Sequence, residues 1–241
     1  MKMIYIYVGG YHVTIGIIGA MDEEISFLLN HISDQKEITI ANSLFIQGRL
    51  AGSDVVLLKS GIGKVNAAMG TTIMQERFSP TYVINTGSAG GFAKDLAVGD
   101  IVISSHVVHH DVDATAFDYA YGQVPQMPVM YEANSDLIDR AAASLKKMNI
   151  NARTGVIATG DSFMQDPLRV QAILEKFPSM IAAEMEAAAV AQVCFQYDTP
   201  FVIIRALSDI AGKESSITFD EFLPMAAKNA SDLIIEMIKT N

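Results

Sequence analysis

Apolar runs without polar alternation recur along this chain at 14–19, 55–60, 82–86, 101–104, 155–159, 180–183 and 201–206. Strands that read this way are buried on both faces, the condition of a parallel sheet covered by helices. Helical spacing fills several of the intervals. Ile138, Ala142, Leu145 and Met148 recur at three- and four-residue steps, and so do Leu223, Ala226, Ala227, Ala230, Leu233, Ile234, Met237 and Ile238. Thr218 followed by Glu221 reads as a capping box opening the last of these helices. Strands alternating with helices predict an α/β fold, a largely parallel sheet with helices on both faces. No internal repeat, low-complexity stretch or Pro/Gly-rich linker divides the chain, and 105–133 is a long irregular region of the kind that often carries function.

In open α/β sheets, ligands lie beyond the carboxyl ends of the strands. Three such ends carry carboxylates here. Ser208 and Asp209 follow the run 201–206, Glu184 and Glu186 open an Ala-rich helix after 180–183, and Glu24 follows 14–19. Each has an ordinary structural reading when taken alone. Asp209 fits a helix cap or a solvated loop, and the glutamates fit compensation of a helix dipole. Their convergence on one edge of the sheet points to a site, where a carboxyl group can serve as a proton donor. Asn85-Thr86-Gly87-Ser88-Ala89-Gly90-Gly91 follows another buried run. Its glycines let backbone N–H groups approach a phosphate or a sugar hydroxyl, and they fit a tight strand exit equally well. Neither a dinucleotide G-x-G-x-x-G fingerprint nor a Walker A lysine motif is present. His109-His110-Asp111-Val112-Asp113 has the composition of a metal cluster, but adjacent histidines on a strand point to opposite faces, which favours a structural or loop role.

Composition narrows the ligand. A chain of 241 residues, half of them hydrophobic, can build a substantial core. Its formal net charge of -10, with only 17 Lys and Arg scattered along the sequence, argues against a nucleic-acid partner and for a small molecule. Cys194 is the single cysteine and lies in an apolar stretch, so it reads as a buried thiol in a reducing cytoplasm. Residues 1–13 are apolar, but they carry a thin positive region and no A-x-A site, and Gly9 and Gly10 interrupt them. They read as an extension ahead of the domain, and neither a signal peptide nor a membrane span is expected.

The segments Gly16-Ile17-Ile18-Gly19-Ala20-Met21-Asp22-Glu23-Glu24, Lys59-Ser60-Gly61-Ile62-Gly63-Lys64-Val65, Asn85 to Gly91, Gly160-Asp161-Ser162-Phe163, Glu184-Met185-Glu186 and Arg205 to Asp209 together closely resemble the bacterial 5'-methylthioadenosine/S-adenosylhomocysteine nucleosidases. That family belongs to the nucleoside phosphorylase/hydrolase superfamily. The resemblance runs from about Thr14 to the carboxyl end, and it implies one nucleosidase domain over 14–241, a three-layer α/β/α sandwich with a mixed, largely parallel central sheet. It also implies a cytoplasmic, cofactor-free and metal-free homodimer that splits the N-glycosidic bond of its nucleoside substrate. Residue by residue, Asp209 would protonate adenine at N7 and Glu24 would activate the attacking water. Glu186, beside Met185, would hold the ribose hydroxyls, with Arg205 and Ser88 as supporting polar groups. Phe163 would stack on adenine while the backbone of Met164 reads the base edge. Met21, Ile62 and Phe219 would line the ribose and alkylthio end, and Phe117 and Pro125 would close the pocket of a neighbouring subunit.

The chemistry agrees with these roles. Glycosidic cleavage passes through an oxocarbenium-like state that needs an acid on the leaving group and an activated water on the opposite face. A purine nucleoside phosphorylase on the same fold would need cations around a phosphate dianion. This chain offers Asp22-Glu23-Glu24 there instead. Cleavage of aminofutalosine and a catalytically silent nucleoside-binding module are the other readings. Release of adenine would eliminate the second of these.

Overall fold

A computed structural model describes residues 14–93, 95–210 and 215–239, with the side chains of 215–220 outside that description. In chain order the elements are β1 (Thr14–Gly19), α1 (Asp22–Leu29), β2 (Ser33–Ile40), β3 (Ser43–Leu50), β4 (Ser53–Lys59), α2 (Lys64–Phe78), β5 (Tyr82–Gly91), β6 (Ile101–His109), β7 (Tyr131–Glu132), α3 (Ser135–Met148), β8 (Ala152–Thr159), α4 (Pro167–Lys176), β9 (Met180–Glu184), α5 (Ala187–Gln196), β10 (Phe201–Ile210) and α6 (Ser215–Lys239).

The apolar runs are central strands for the reason their composition suggests. In β10, Val202 and Ile204 pack with α1, α3 and α6 on one face, while Phe201 and Ile203 pack with α2 and α5 on the other. Both faces of the strand are therefore buried. All eight of the spaced apolar residues of α6 are buried. In α3 the helix forms as the spacing predicts but turns a slightly different face inward, burying Leu137, Ala141 and Leu145 and exposing Ala142. Asn134 caps it by accepting from the N–H of Leu137 at 3.1 Å.

The sheet is mixed. It is parallel from β4 through β1 and β5 to β10 and again across β6, β8 and β9, and antiparallel where β10 meets β6 and where β5 meets β9. β5 is the hub. Its residues 82–85 pair with β1, and Gly90 and Gly91 on the same edge pair with β9. Between those two registers the edge of β5 is open, and the cavity described below lies there. This is the local equivalent of a topological switch point, where neighbouring strands part and leave a crevice.

Several sequence expectations are corrected. Residues 85–91 continue β5 rather than forming a turn, because β10 pairs alongside them to Gly91. Ser208 and Asp209 likewise lie inside β10, at a bulge between Leu207 and Asp209, rather than beyond its end. Glu184 closes β9, and the following helix begins at Ala187 with Glu186 as its N-cap. The last helix is already formed at Ser215, so Thr218 and Glu221 do not open it; the capping pattern requires a non-helical residue at its first position. The region 105–133 is partly regular, since β6 runs to His109 and β7 closes it. The hairpin of β2 and β3 has no counterpart in the apolar pattern, because β2 is an edge strand with nearly every residue exposed. A two-residue turn, Ala41 at φ 48° and Asn42 at φ 67°, sets its register, the geometry of a type I′ hairpin.

Candidate active site

A cavity of about 340 Å³ opens at the fork between β1, β5 and β9, and Met21, Glu24, Ile62, Ser88, Phe163, Met185, Glu186 and Asp209 are among its lining residues. Its size is that of a small-molecule site. Eight residues singled out from sequence are thus brought together from six separate stretches of chain.

Glu24 sits in the first turn of α1 and is 5% exposed. Its Oε2 accepts from the N–H groups of Ala20 at 2.8 Å and Met21 at 3.3 Å, which satisfies the start of the helix. Its Oε1 reaches across to β5, accepting from the backbone N–H of Ser88 at 2.9 Å and from Ser88 Oγ at 3.1 Å. One oxygen of Glu24 thus serves the helix end and the other binds Ser88 at the cavity. The close approach requires Gly87, because a Cβ there would lie 2.6 Å from Oε1 of Glu24.

Behind the cavity lies a buried polar cluster. Arg205, in the middle of β10, is the largest fully buried side chain among the described residues and donates from one terminal nitrogen to Asn85 Oδ1 at 2.7 Å and to Glu184 Oε2 at 2.6 Å. Glu184 also accepts from Thr159 Oγ1 at 2.5 Å and from the N–H groups of Glu186 at 2.9 Å and Ala187 at 2.8 Å. Burial disfavours both charges of the Arg205 and Glu184 pair. Their mutual attraction, with the hydrogen bonds to Glu184, outweighs it and leaves the carboxyl below and the guanidinium above their usual values. Arg205 does not line the cavity; it supports the wall that does. The sequence marks Glu184 as one of the carboxylates at a strand end, but nothing local announces its pairing with Arg205 or the part of Thr159.

Glu186 is 8% exposed, and its Oε1 accepts from the N–H of Gly63 at 2.8 Å. Burial, followed by the negative charge of Glu184, pushes its carboxyl up to about 8. Asp209, 3% exposed, accepts from Ser208 Oγ at 2.9 Å. It also borders a recess of about 30 Å³ shared with Met164, Phe163 and Gly90. Glu24, Glu186 and Asp209, in unlike surroundings, therefore share one cavity with Glu184, the hydroxyl residues Ser88 and Ser208, a phenyl ring, two thioethers and aliphatic groups. Such a site can take a flat, weakly polar ring against Phe163 and hydroxyl groups against the carboxylates.

The remaining expected residues lie elsewhere. Phe117, in a 3₁₀ turn at Thr115–Phe117, is 78% exposed, and Pro125 is exposed; neither lines the cavity of its own chain. The Phe219 side chain is outside the described residues. His109 and His110 are both buried and face different surroundings. His109 Nε2 lies 3.0 Å from Gln192 Oε1, whereas the His110 ring abuts Gly160. Among the described residues no group of three His, Cys, Asp or Glu side chains could hold a metal ion, and no helix is long and apolar enough to cross a membrane. Cys194 is fully buried, and burial pushes its thiol up to about 12.

The phosphorylase superfamily model matches residues 14–239. A 5'-methylthioadenosine/S-adenosylhomocysteine nucleosidase of Oceanobacillus iheyensis is 62% identical over 226 residues, spanning 94% of this chain and 99% of that protein. The crystal structure of the same enzyme from Neisseria meningitidis, in complex with methylthio-immucillin-A, superposes with a TM-score of 0.93 at 45% identity, over 95% of this chain and 99% of the other. That of Colwellia psychrerythraea, in complex with adenine, gives a TM-score of 0.92 at 50% identity over 95% of both chains. The chain belongs to the phosphorylase superfamily and, within it, to the 5'-methylthioadenosine/S-adenosylhomocysteine nucleosidases, which are N-glycosyl hydrolases.

Proposed function

We propose that the chain hydrolyses the N-glycosidic bond of 5'-methylthioadenosine and S-adenosylhomocysteine, and also that of 5'-deoxyadenosine, releasing adenine and the 5-substituted ribose. The reaction would serve methionine salvage and removal of methyl-cycle by-products in the cytoplasm, without a cofactor. The observation that carries this reading is that three buried carboxyl residues, Glu24, Asp209 and Glu186, line one cavity together with Phe163, Met21, Met185 and Ile62.

In this reading Phe163 stacks on adenine, the backbone of Met164 reads the base edge, and Asp209 donates a proton toward N7 as the bond to the base lengthens. Adenine is a poor leaving group as an anion, so that proton matters most in the transition state. Glu24 takes a proton from the attacking water on the other side of the ribose ring, while Ser88 steadies its Oε1. Glu186 and Met185 hold the ribose, which fixes the ring as positive charge develops. Glu186 carries a raised affinity for its proton and can donate a hydrogen bond to a ribose oxygen. Met21 and Ile62 enclose the alkylthio end.

A homodimer completes the proposal. What supports it is that Phe117 is 78% and Ile62 51% exposed, leaving apolar surface that a second subunit's Phe117 and Pro125 would cover. Light scattering at twice the 26.1 kDa chain mass agrees with this; a fully active sample at the chain mass contradicts it. The same reading takes 14–241 as the nucleosidase unit and 1–13 as an extension, so a chain begun at Thr14 should keep its activity. The deciding assay incubates the enzyme with methylthioadenosine in phosphate-free buffer. Adenine and free methylthioribose are expected, whereas strict phosphate dependence with a ribose 1-phosphate product overturns the hydrolase reading.

A further inference from the structure

Three segments meet beside the cavity in a closed ring of hydrogen bonds. Lys64 Nζ donates to Asp111 Oδ1 at 2.6 Å, the Asp161 N–H donates to Asp111 Oδ2 at 3.0 Å, and the Lys64 N–H donates to Asp161 Oδ1 at 2.8 Å. Each member belongs to a different stretch of chain: Lys64 begins α2, Asp111 follows β6, and Asp161 follows β8. The Lys64 and Asp111 side chains are 20% and 29% exposed, so solvent screens this pair less than a fully exposed one. Burial alone would raise the Asp111 carboxyl, but Lys64 and the Asp161 N–H outweigh it and hold the carboxyl below its usual value.

The ring's neighbours give it consequence. Immediately before Lys64, the Gly63 N–H holds Glu186 at 2.8 Å, and Ile62 lines the cavity. Two residues after Asp161 comes Phe163, then Met164 at the recess beside Asp209. The base of this second segment is pinned independently. The His110 N–H donates to the Thr159 carbonyl at 2.7 Å, and the Gly160 N–H donates to the Glu184 carbonyl at 3.1 Å. His110 is 2% exposed, and its ring abuts Gly160, where any Cβ would collide with it. Beyond that pinned base, Asp161 is tied to Lys64 directly through its Oδ1, and a second time through Asp111, which accepts from both the Asp161 N–H and the Lys64 ammonium.

We propose that Asp111 is a positioning residue of the site, bracing the direct bond between Lys64 and Asp161 with a charged bridge, so that the segment that carries Phe163 and the segment that holds Glu186 are set as one unit. This rests on the reading that Phe163 and Glu186 grip the base and the ribose of one nucleoside. The bonds lie away from the breaking glycosidic bond, so their loss falls on binding more than on chemistry.

The test uses the full chain with Asp111→Ala, Asp111→Asn, Lys64→Met and the Asp111→Ala/Lys64→Met double variant. Adenine affinity is measured by calorimetry, KM and kcat on methylthioadenosine, and amide hydrogen exchange across 160–164 and 61–66. Asp111→Ala should weaken adenine binding and raise KM by about tenfold with kcat within about threefold, as expected when a charged hydrogen bond outside the reaction is lost. Exchange should quicken in both segments. Asp111→Asn keeps an oxygen for the Asp161 N–H and should fall between the two extremes. The double variant should lose little more than Asp111→Ala alone, because both changes break the same bridge through Asp111 and leave the Lys64 N–H bonded to Asp161. A lowered melting temperature with adenine affinity and KM unchanged would reduce Asp111 to a structural staple, and quicker exchange in 160–164 alone would contradict the coupling. A wild-type chain that releases no adenine from methylthioadenosine would sink the nucleosidase reading separately, with the exchange measurement still deciding the role of Asp111.

Discussion

Ser88 donates twice to one oxygen of Glu24, from its backbone N–H at 2.9 Å and from its hydroxyl at 3.1 Å, at the stretch of β5 that has left β1 and has not yet met β9. A backbone donor left over by the parting strands thus holds the carboxylate proposed to activate water. The fold positions the chemistry through this gap in its own hydrogen-bond ladder.

Gly87→Ala tests that relationship without touching either partner. The new methyl group would lie 2.6 Å from Oε1 and 2.9 Å from Cδ of Glu24, so the carboxylate must shift. We expect destabilisation of about 1–3 kcal/mol, the range for overpacking, and a kcat loss of about tenfold or more, since small misplacement of a catalytic group is costly. Wild-type kcat in a folded Gly87→Ala variant would show that the Glu24 position is not critical.

Arg205→Met should be severe and dependent on pH. It leaves Glu184 buried without its cation, a change that costs about 3–5 kcal/mol. Protonation of Glu184 relieves the unpaired charge, so the loss measured by urea unfolding should shrink as the pH is lowered toward about 5. Adding Glu184→Gln should recover part of the loss at neutral pH. Equal losses at both pH values, with no recovery, would mean that the pair's charge is not what matters.

Glu186 contributes the opposite slope. Its folded carboxyl is raised to about 8 from an ordinary 4.5, so across that window the folded state holds a proton that the unfolded state has released. Stability should therefore fall as the pH rises from about 4.5 to about 8 through this group. Glu186→Gln cannot ionise, and its melting temperature relative to wild type should climb over the same window. A difference independent of pH would remove the raised carboxyl from the account.

The legible parts of the sequence were those where one physical requirement dominates. The central strands showed themselves because burial on both faces demands unbroken apolar residues, as in Phe201 to Ile204. Glu24, Glu186 and Asp209 stood out only together, because carboxylates follow three such runs at one edge of the sheet. The ends of β5 and β10 were hidden, since Gly87, Gly90 and Gly91 read as a turn until β10 is seen pairing beside them, and the bulge at Leu207 to Asp209 keeps a polar pair inside a strand. β2 was invisible because an edge strand such as Ser33–Ile40 can be mostly polar and exposed. The ring joining Lys64, Asp111 and Asp161 closes over separations of 47, 50 and 97 residues, so no local pattern could announce it.

The central claim is that Asp209 and Glu24 divide the chemistry, one serving the leaving base and the other the water. Asp209→Asn and Glu24→Gln should each lower kcat on methylthioadenosine by about 10²-fold or more, the scale of general acid or base catalysis. The direct measurement replaces adenine with a leaving group that departs without protonation, such as p-nitrophenolate on the same 5-methylthioribose, and compares kcat for both variants with wild type. Asp209→Asn should regain most of its lost rate on that substrate, and Glu24→Gln should regain little. Equal recovery in the two variants, or near-normal turnover of methylthioadenosine by Asp209→Asn, would contradict the assignment.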